Sequence, residues 1–213
     1  MPSLVVVFFI GPVPVSRTVV TTWGVMLVLV LAALWLTRGG TNPRGIYLLP
    51  ELFLESMDGL IDSMMGARGR RYLPFIATIA LFVTAGNLAG VIPGAIPPTA
   101  DLATPAAVGF LVFSVVHITG LREKGLLGYA REYFQPYWWL FPLNLAGAAA
   151  RPLSHIFRLY GNLAGGGILM SVTMLLAPWL VPVPVIAWFS VFIGIVQGFV
   201  FTLLAVAYIA EAL

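Results

Sequence analysis

The sequence predicts an all-α polytopic membrane protein, and three observations carry that prediction. Of its 213 residues 60% are hydrophobic and 9% charged, with a mean hydropathy of +1.00, whereas soluble domains are about 25% charged. Apolar runs reach the roughly 20 residues that a helix needs to cross a bilayer. In the two longest runs the few polar residues recur at helical spacing, not at the alternation of a strand.

One membrane domain over residues 1–213, with five crossings and one surface helix, accounts for the pattern. Residues 19–36 form the first crossing, between the turn-like Gly11-Pro12-Val13-Pro14 and Thr37-Arg38-Gly39-Gly40. It reads as a retained span, because no basic stretch precedes it and no small-residue cleavage pattern follows. Residues 47–65 differ in kind: Glu51, Glu55, Asp58 and Asp62 fall on one side, opposite Leu52, Phe53, Leu60, Ile61 and Met64. That is an acidic-faced amphipathic helix, expected to lie along the interface. Residues 74–92 make the second crossing, ended by the uncharged loop from Pro93 to Thr99, and residues 105–121 the third, followed by a charged loop from Arg122 to Glu132. From Trp138 the chain is apolar almost to its end, divided between Ala177 and Pro184 into long helices at 138–176 and 184–212. Both exceed the crossing length, so each is expected to tilt strongly or to run partly in the membrane plane.

Lys and Arg set the orientation. Arg38, Arg44, Arg68, Arg70 and Arg71 lie between crossings one and two, and Arg122, Lys124 and Arg131 between three and four. The loops after crossings two and four have none, which puts the N-terminus outside and the C-terminus in the cytoplasm. The composition also excludes several classes. There is no cysteine, hence no disulfide or thiol chemistry. His117 and His155 are the only histidines, too few for a metal cluster, and no cofactor motif appears. The net charge of +3 is spread too thinly for nucleic acid, and no Gly-x-x-x-x-Gly-Lys loop is present to bind a nucleotide.

Arg158 is the most informative residue. From Phe141 to Ala210 only Arg151 and Arg158 carry a formal charge, and an arginine cannot lose its proton. Holding one at the bilayer centre costs about 2.5–3.5 kcal/mol on insertion scales, so such a charge is functional by default. Arg151, His155, Arg158 and Asn162 recur at helical spacing on one face, with Ser154 beside His155. Ser190, Gln197, Tyr208 and Glu211 form a second polar stripe on the last helix, with Gln197 the expected partner of Arg158. Gly161, Gly165, Gly166 and Gly167 strip side chains from the surface beside Arg158, so that another helix can pass close. The plainer readings are a structural Arg158, an Arg151 that snorkels to the interface, a neutral packed His155, and an acidic stripe that is simply solvated.

The run Arg151-Pro152-Leu153-Ser154-His155-Ile156-Phe157-Arg158-Leu159-Tyr160-Gly161-Asn162 resembles the signature of subunit a of F-type ATP synthases. Supporting pieces stand in the family's order: Thr21-Thr22-Trp23, Asn87 with Pro93, Pro142-Leu143-Asn144-Leu145 and Gln197. The resemblance covers nearly the whole chain. It implies a non-catalytic stator subunit beside a rotating c-ring, with b-type stalk subunits as further partners, in a bacterial plasma membrane. Two aqueous half-channels would carry H+ or Na+, with Arg158 between them. Ser154, His155, Asn162, Ser190, Gln197 and Arg151 are the associated candidates, and Asn87, Asp101, Asn144, Tyr208 and Glu211 are candidates to line the half-channels. The chain departs from proton-type members at Gly147-Ala148-Ala149, Gly167 and Gly90, where many carry an acid. With its Pro-rich outer segments this is similar to the N-type bacterial subgroup.

Two other classes are weighed. A stand-alone ion channel or secondary transporter predicts internal repeats around a midplane site, and none is visible. An intramembrane hydrolase would pair Ser154 or Ser190 with His155. Adjacent residues point about 100° apart on a helix, a poor geometry for nucleophile and base, and no Gly-x-Ser-x-Gly element occurs.

Overall fold

A computed structural model describes residues 6–10, 13–38, 48–92, 95–176 and 182–213. Gly11-Pro12, Pro93-Gly94 and the break from Ala177 to Val181 lie outside the described residues. Five segments among those described are long and apolar enough to cross a membrane. In chain order they are α1 (Arg17–Arg38), α2 (Leu48–Met65) continuing into α3 (Leu73–Leu88), α4 (Ala103–Glu132), α5 (Phe141–Leu176), and α6 (Pro182–Ile186) running into α7 (Ile193–Ala212). The all-α class holds, with one addition. The β-branched residues around Pro14 form a short antiparallel hairpin, β1 (Val6–Ile10) against β2 (Val13–Ser16), just before α1.

Helix α7 is the centre of the molecule. Phe201 and Ala205 pack with Ile79 and Val83 of α3, Val112 of α4 and Leu159 and Leu163 of α5. One turn further on, Val206 and Ile209 meet Ile76 of α3 and Ile61 of α2. Helix α1 is the least buried of the crossing segments and buries only Thr18. Apolar contact is a weak reason for helices to associate in lipid, since the solvent is as apolar as leucine; close backbone approach and polar bonds decide instead. Both occur between α3 and α7. A side chain on Gly194 would press on Asn87, and one on Gly198 would overlap Thr84.

Three local features depart from a reading by periodicity. The segment from Arg122 to Glu132, expected as a charged loop, is helical, but it is broken from the rest of α4 at Gly125, whose φ of +69° is a left-handed conformation suited to glycine. The chain folds back there. A side chain on Gly120 would strike the Tyr129 ring, although nine residues of straight helix would separate the two by about 13.5 Å. Gly66, at φ +62°, likewise turns the chain between α2 and α3. The expected single helix at 184–212 contains a π-helical stretch, Ala187–Phe192, between α6 and α7. On α2, Met57 and Ile61 face the protein, Glu51, Glu55 and Asp62 are exposed, and Asp58 pairs with Arg70 at 3.5 Å. Leu52 and Met64 are exposed too, so the protein-facing stripe is narrower than the apolar side that the sequence outlines.

Substituting Gly198 by valine should force α7 away from Thr84 and lower the melting temperature of the purified complex, or the yield of assembled complex, while Gly59→Ala, which meets open space on α2, should leave both unchanged.

Candidate functional site

The face of α5 that carries Arg158 is determined by what its neighbours bury. Leu159 and Leu163 pack into the core, and Ile156 is buried against Gly109 of α4. Arg158 and Ser154 are therefore turned outward and exposed. Among the described residues Arg158 makes no hydrogen bond or ion pair. Gly161 and Gly165 follow it at helical spacing on the same exposed surface, and a side chain at either would meet nothing within 4 Å. Gly166 points inward and lies under Phe189. The result is a smooth helix face with one cation standing on it.

The expected pairing of Gln197 with Arg158 is not what the structure holds. Gln197 is 4% exposed and its Oε1 accepts a hydrogen bond from Asn162 Nδ2 at 3.2 Å. This ties α5 to α7 one turn beyond the arginine. Gln197 Nε2 and His155 Nε2 are the only buried side-chain polar atoms without a partner among the described residues. His155 is 7% exposed, with its ring edge-on to Phe201 and Tyr208, and its Nδ1 sits 3.1 Å from the Arg151 carbonyl oxygen. Ser154, on the exposed side, does not bond to it, which leaves a hydrolase pair without its geometry.

At the C-terminal end of α7 the structure gathers Arg151, Asn144, Tyr208 and Glu211. Arg151 binds Glu211 through both carboxylate oxygens, at 2.5 and 3.1 Å, and lies 5.5 Å from the centre of the Tyr208 ring. Lys124 adds two bonds to Glu132 at 3.0 Å and one to the Glu211 carbonyl oxygen at 3.2 Å. These groups line a cavity of about 310 Å³ between α4, α5 and α7. It adjoins a narrower one of about 80 Å³ that reaches His155. Asn144 donates to the carbonyl oxygens of Tyr133 and Gln135, both at 2.9 Å, and so ties the start of α5 to the preceding turn.

The remaining candidates lie toward the other end of the helices. Asn87 is fully buried; it donates to the Gly194 carbonyl oxygen at 3.0 Å and accepts from Thr99 at 2.7 Å. Asp101 accepts from Thr18 at 3.1 Å and from the Ala103 amide at 3.2 Å, joining α1 to the start of α4. Ser190, on the π-helical stretch, abuts Gly90, where any side chain would also strike Pro97; an acid has no room there. Sequence reasoning did not single out Lys124, Tyr129, Tyr133 or Thr99. Tyr129 and Tyr133 follow the fold-back of α4 at Gly125 to the cavity wall, a conformation that spacing does not encode. No group of three or more His, Cys, Asp or Glu that could hold a metal occurs among the described residues.

Residues 19–210 match the family model described as ATP synthase A chain. The chain is 42% identical to ATP synthase subunit a of Moorella thermoacetica over 207 residues, covering 96% of this chain and 94% of the relative. It is 44% identical to ATP synthase subunit a 1 of Syntrophotalea carbinolica over 196 residues, covering 90% and 83%. Against ATP synthase subunit a 2 of a Bradyrhizobium species the identity is 37% over 206 residues, covering 96% and 92%.

Asn87→Ala removes the side-chain bond from the Gly194 carbonyl, which keeps its place in the helix, and leaves the Thr99 hydroxyl without its acceptor in a buried interface, at about 1–3 kcal/mol for an unsatisfied buried group. The expected outcome is a clear loss of thermal or denaturant stability of the complex in detergent, larger than that from Thr99→Ala alone.

Proposed function

We propose, from the premise that this chain belongs to the ATP synthase A chain family, that it is the non-catalytic stator through which a rotary F-type ATP synthase passes H+ or Na+ to and from its c-ring. The observation that carries the reading is Arg158 on the smooth outward face of α5, without a hydrogen bond or ion pair among the described residues. An intramembrane cation normally finds a carboxylate or carbonyl within its own protein. Here the space beside it is kept free by Gly161 and Gly165, as a passing helix with its own carboxylate would require.

The physics of that encounter gives coupling. At about 4 Å and an effective dielectric of about 20, a unit charge pair is worth about 4 kcal/mol. That favours ionisation of the passing carboxyl about a thousandfold, so its ion leaves as it reaches Arg158. The same fixed cation repels a free cation moving directly from one side to the other. Ions then cross only by riding the ring. On this reading the cavity bounded by Arg151, Tyr208 and Glu211 is the inner vestibule. The uncharged region around Ser190, Asn87 and Thr99 lies on the outer side. The N-terminus is outside, the C-terminus is cytoplasmic, and b-type stalk subunits hold the peripheral helices.

Arg158→Ala in the assembled complex should abolish ATP-driven ion uptake into inverted vesicles, assayed separately for H+ and radiolabelled Na+. Coupled uptake at the wild-type rate would return Arg158 to a structural role. Arg158→Lys should rescue poorly, because an ammonium on a flexible stem does not reproduce the planar, permanently charged guanidinium.

A further inference from the structure

We propose that the turned-back limb of α4, from Leu126 to Phe134, is a docking surface for anionic phospholipid. Arg122 and Arg131 receive the phosphodiester headgroup, and Leu126 and Leu127 lie among the upper acyl chains. The inference concerns the lipid side of the molecule and is independent of Arg158.

The limb of α4 from Ala103 to Lys124 measures about 33 Å at 1.5 Å per residue, close to the roughly 30 Å of a bilayer's hydrocarbon core. Gly125 therefore turns the chain at the membrane boundary, and the turn runs back instead of outward. Tyr129 lies against Gly120, about 7.5 Å of helix before the turn. That is within the depth, about 5–10 Å, at which an interfacial amphipathic helix rests. The limb has two faces. Tyr129, Glu132 and Tyr133 line the cavity between α4, α5 and α7. Leu127, Ala130, Arg131 and Phe134, at helical spacing on the opposite side, are exposed. Leu126 and Leu127 are 74% and 86% exposed. Leu111, Ile118 and Leu121 of the crossing limb are exposed as well, so an apolar surface continues around the turn. Tyr137, Trp138 and Trp139 follow, with the Tyr137 and Trp139 rings stacked at 4.7 Å; such rings settle at headgroup level. At this depth lipid already surrounds the crossing limb, and it is the occupant that the outward face fits.

Charge selects which lipid. Both carboxylates of the turn are taken up within the protein. Glu123 accepts from Arg71 at 2.5 Å, with Arg68 near enough to act on the same carboxylate, and Glu132 accepts twice from Lys124 at 3.0 Å. Arg122 and Arg131 are exposed and make no hydrogen bond or ion pair among the described residues. The two limbs run side by side, fastened at Gly120 with Tyr129 and at Lys124 with Glu132, so both arginines belong to one turn. What the turn offers to headgroups is therefore positive. An anionic lipid answers that charge, whereas a zwitterionic headgroup brings a cation of its own.

The test uses the assembled complex in nanodiscs of phosphatidylcholine doped with a trace of photoactivatable phospholipid, bearing either a phosphatidylglycerol or a phosphatidylcholine headgroup, and reads labelled peptides by mass spectrometry. Expected is labelling of the segment from Leu126 to Trp139 at least tenfold stronger with the phosphatidylglycerol probe. Unlabelled phosphatidylglycerol should compete and inorganic phosphate should not, which separates a bilayer lipid from a free anion. Arg122→Gln and Arg131→Gln should each lower the labelling about fivefold, the counterpart of about 1 kcal/mol per basic residue at an anionic surface. The double variant should fall to the phosphatidylcholine level, and Arg131→Lys should keep most of the signal, since the attraction is one of charge. Equal labelling by the two probes in the wild type, or unchanged labelling in the assembled double variant, would overturn the proposal. So would displacement by inorganic phosphate, or the absence of any lipid label on this segment, as a covering protein subunit would produce.

Discussion

The close approach of α7 to α3 depends on two missing side chains, at Gly194 and Gly198, and on the bond from Asn87 to the Gly194 carbonyl oxygen. In a lipid solvent this kind of contact decides which helix lies beside which, because burying another leucine gains little. Once α7 is seated, Phe201 and Ala205 offer the surface on which Leu159 and Leu163 of α5 lie. With those two leucines inward, helical geometry leaves no choice for Arg158, which must face away. The exposed cation is thus a consequence of packing on the opposite side of its own helix. A change at Gly198 acts on the arginine through two layers of contact.

The two ends of the α5–α7 pair differ in chemistry. One end carries fixed charges in matched pairs, Arg151 with Glu211 and Lys124 with Glu132. The other relies on amides and hydroxyls, with Asp101 the only carboxylate drawn into its bonds among the described residues. Exposed ion pairs contribute little to stability, about 0–1 kcal/mol. Their placement around the cavity is better understood as holding its polar walls at a set distance. The other end has no such ion pairs among the described residues, and buried hydrogen bonds hold it.

Much of the architecture was legible in the sequence because the solvent is severe. A backbone inside lipid must satisfy itself, so long apolar runs can only be helices, and the arginine in the signature run stands out against them. Periodicity also put Arg151, His155, Arg158 and Asn162 together, yet the structure divides that stripe. His155 is buried, Arg158 exposed, and Asn162 turned to Gln197. Spacing tells which residues share a face but not which neighbour the face meets. The Gln197 bond, the Arg151–Glu211 pair and the tyrosines over His117 all depend on that second fact. The fold-back at Gly125 was hidden for another reason: a single left-handed glycine reverses the chain without disturbing the apolar pattern on either side.

The π-helical stretch Ala187–Phe192 has a consequence for how the last helix is oriented. Wider hydrogen-bonded turns of this kind absorb an extra residue without ending the helix, and each residue in a helix accounts for about 100° of rotation. Everything before the stretch is therefore clocked differently about the axis from everything after it. Ser190, within the stretch, looks toward Gly90, and Gln197, after it, looks toward Asn162. The portions of the rod before and after the stretch are thus set about a common axis like two instruments on one shaft, with a fixed angular offset between them.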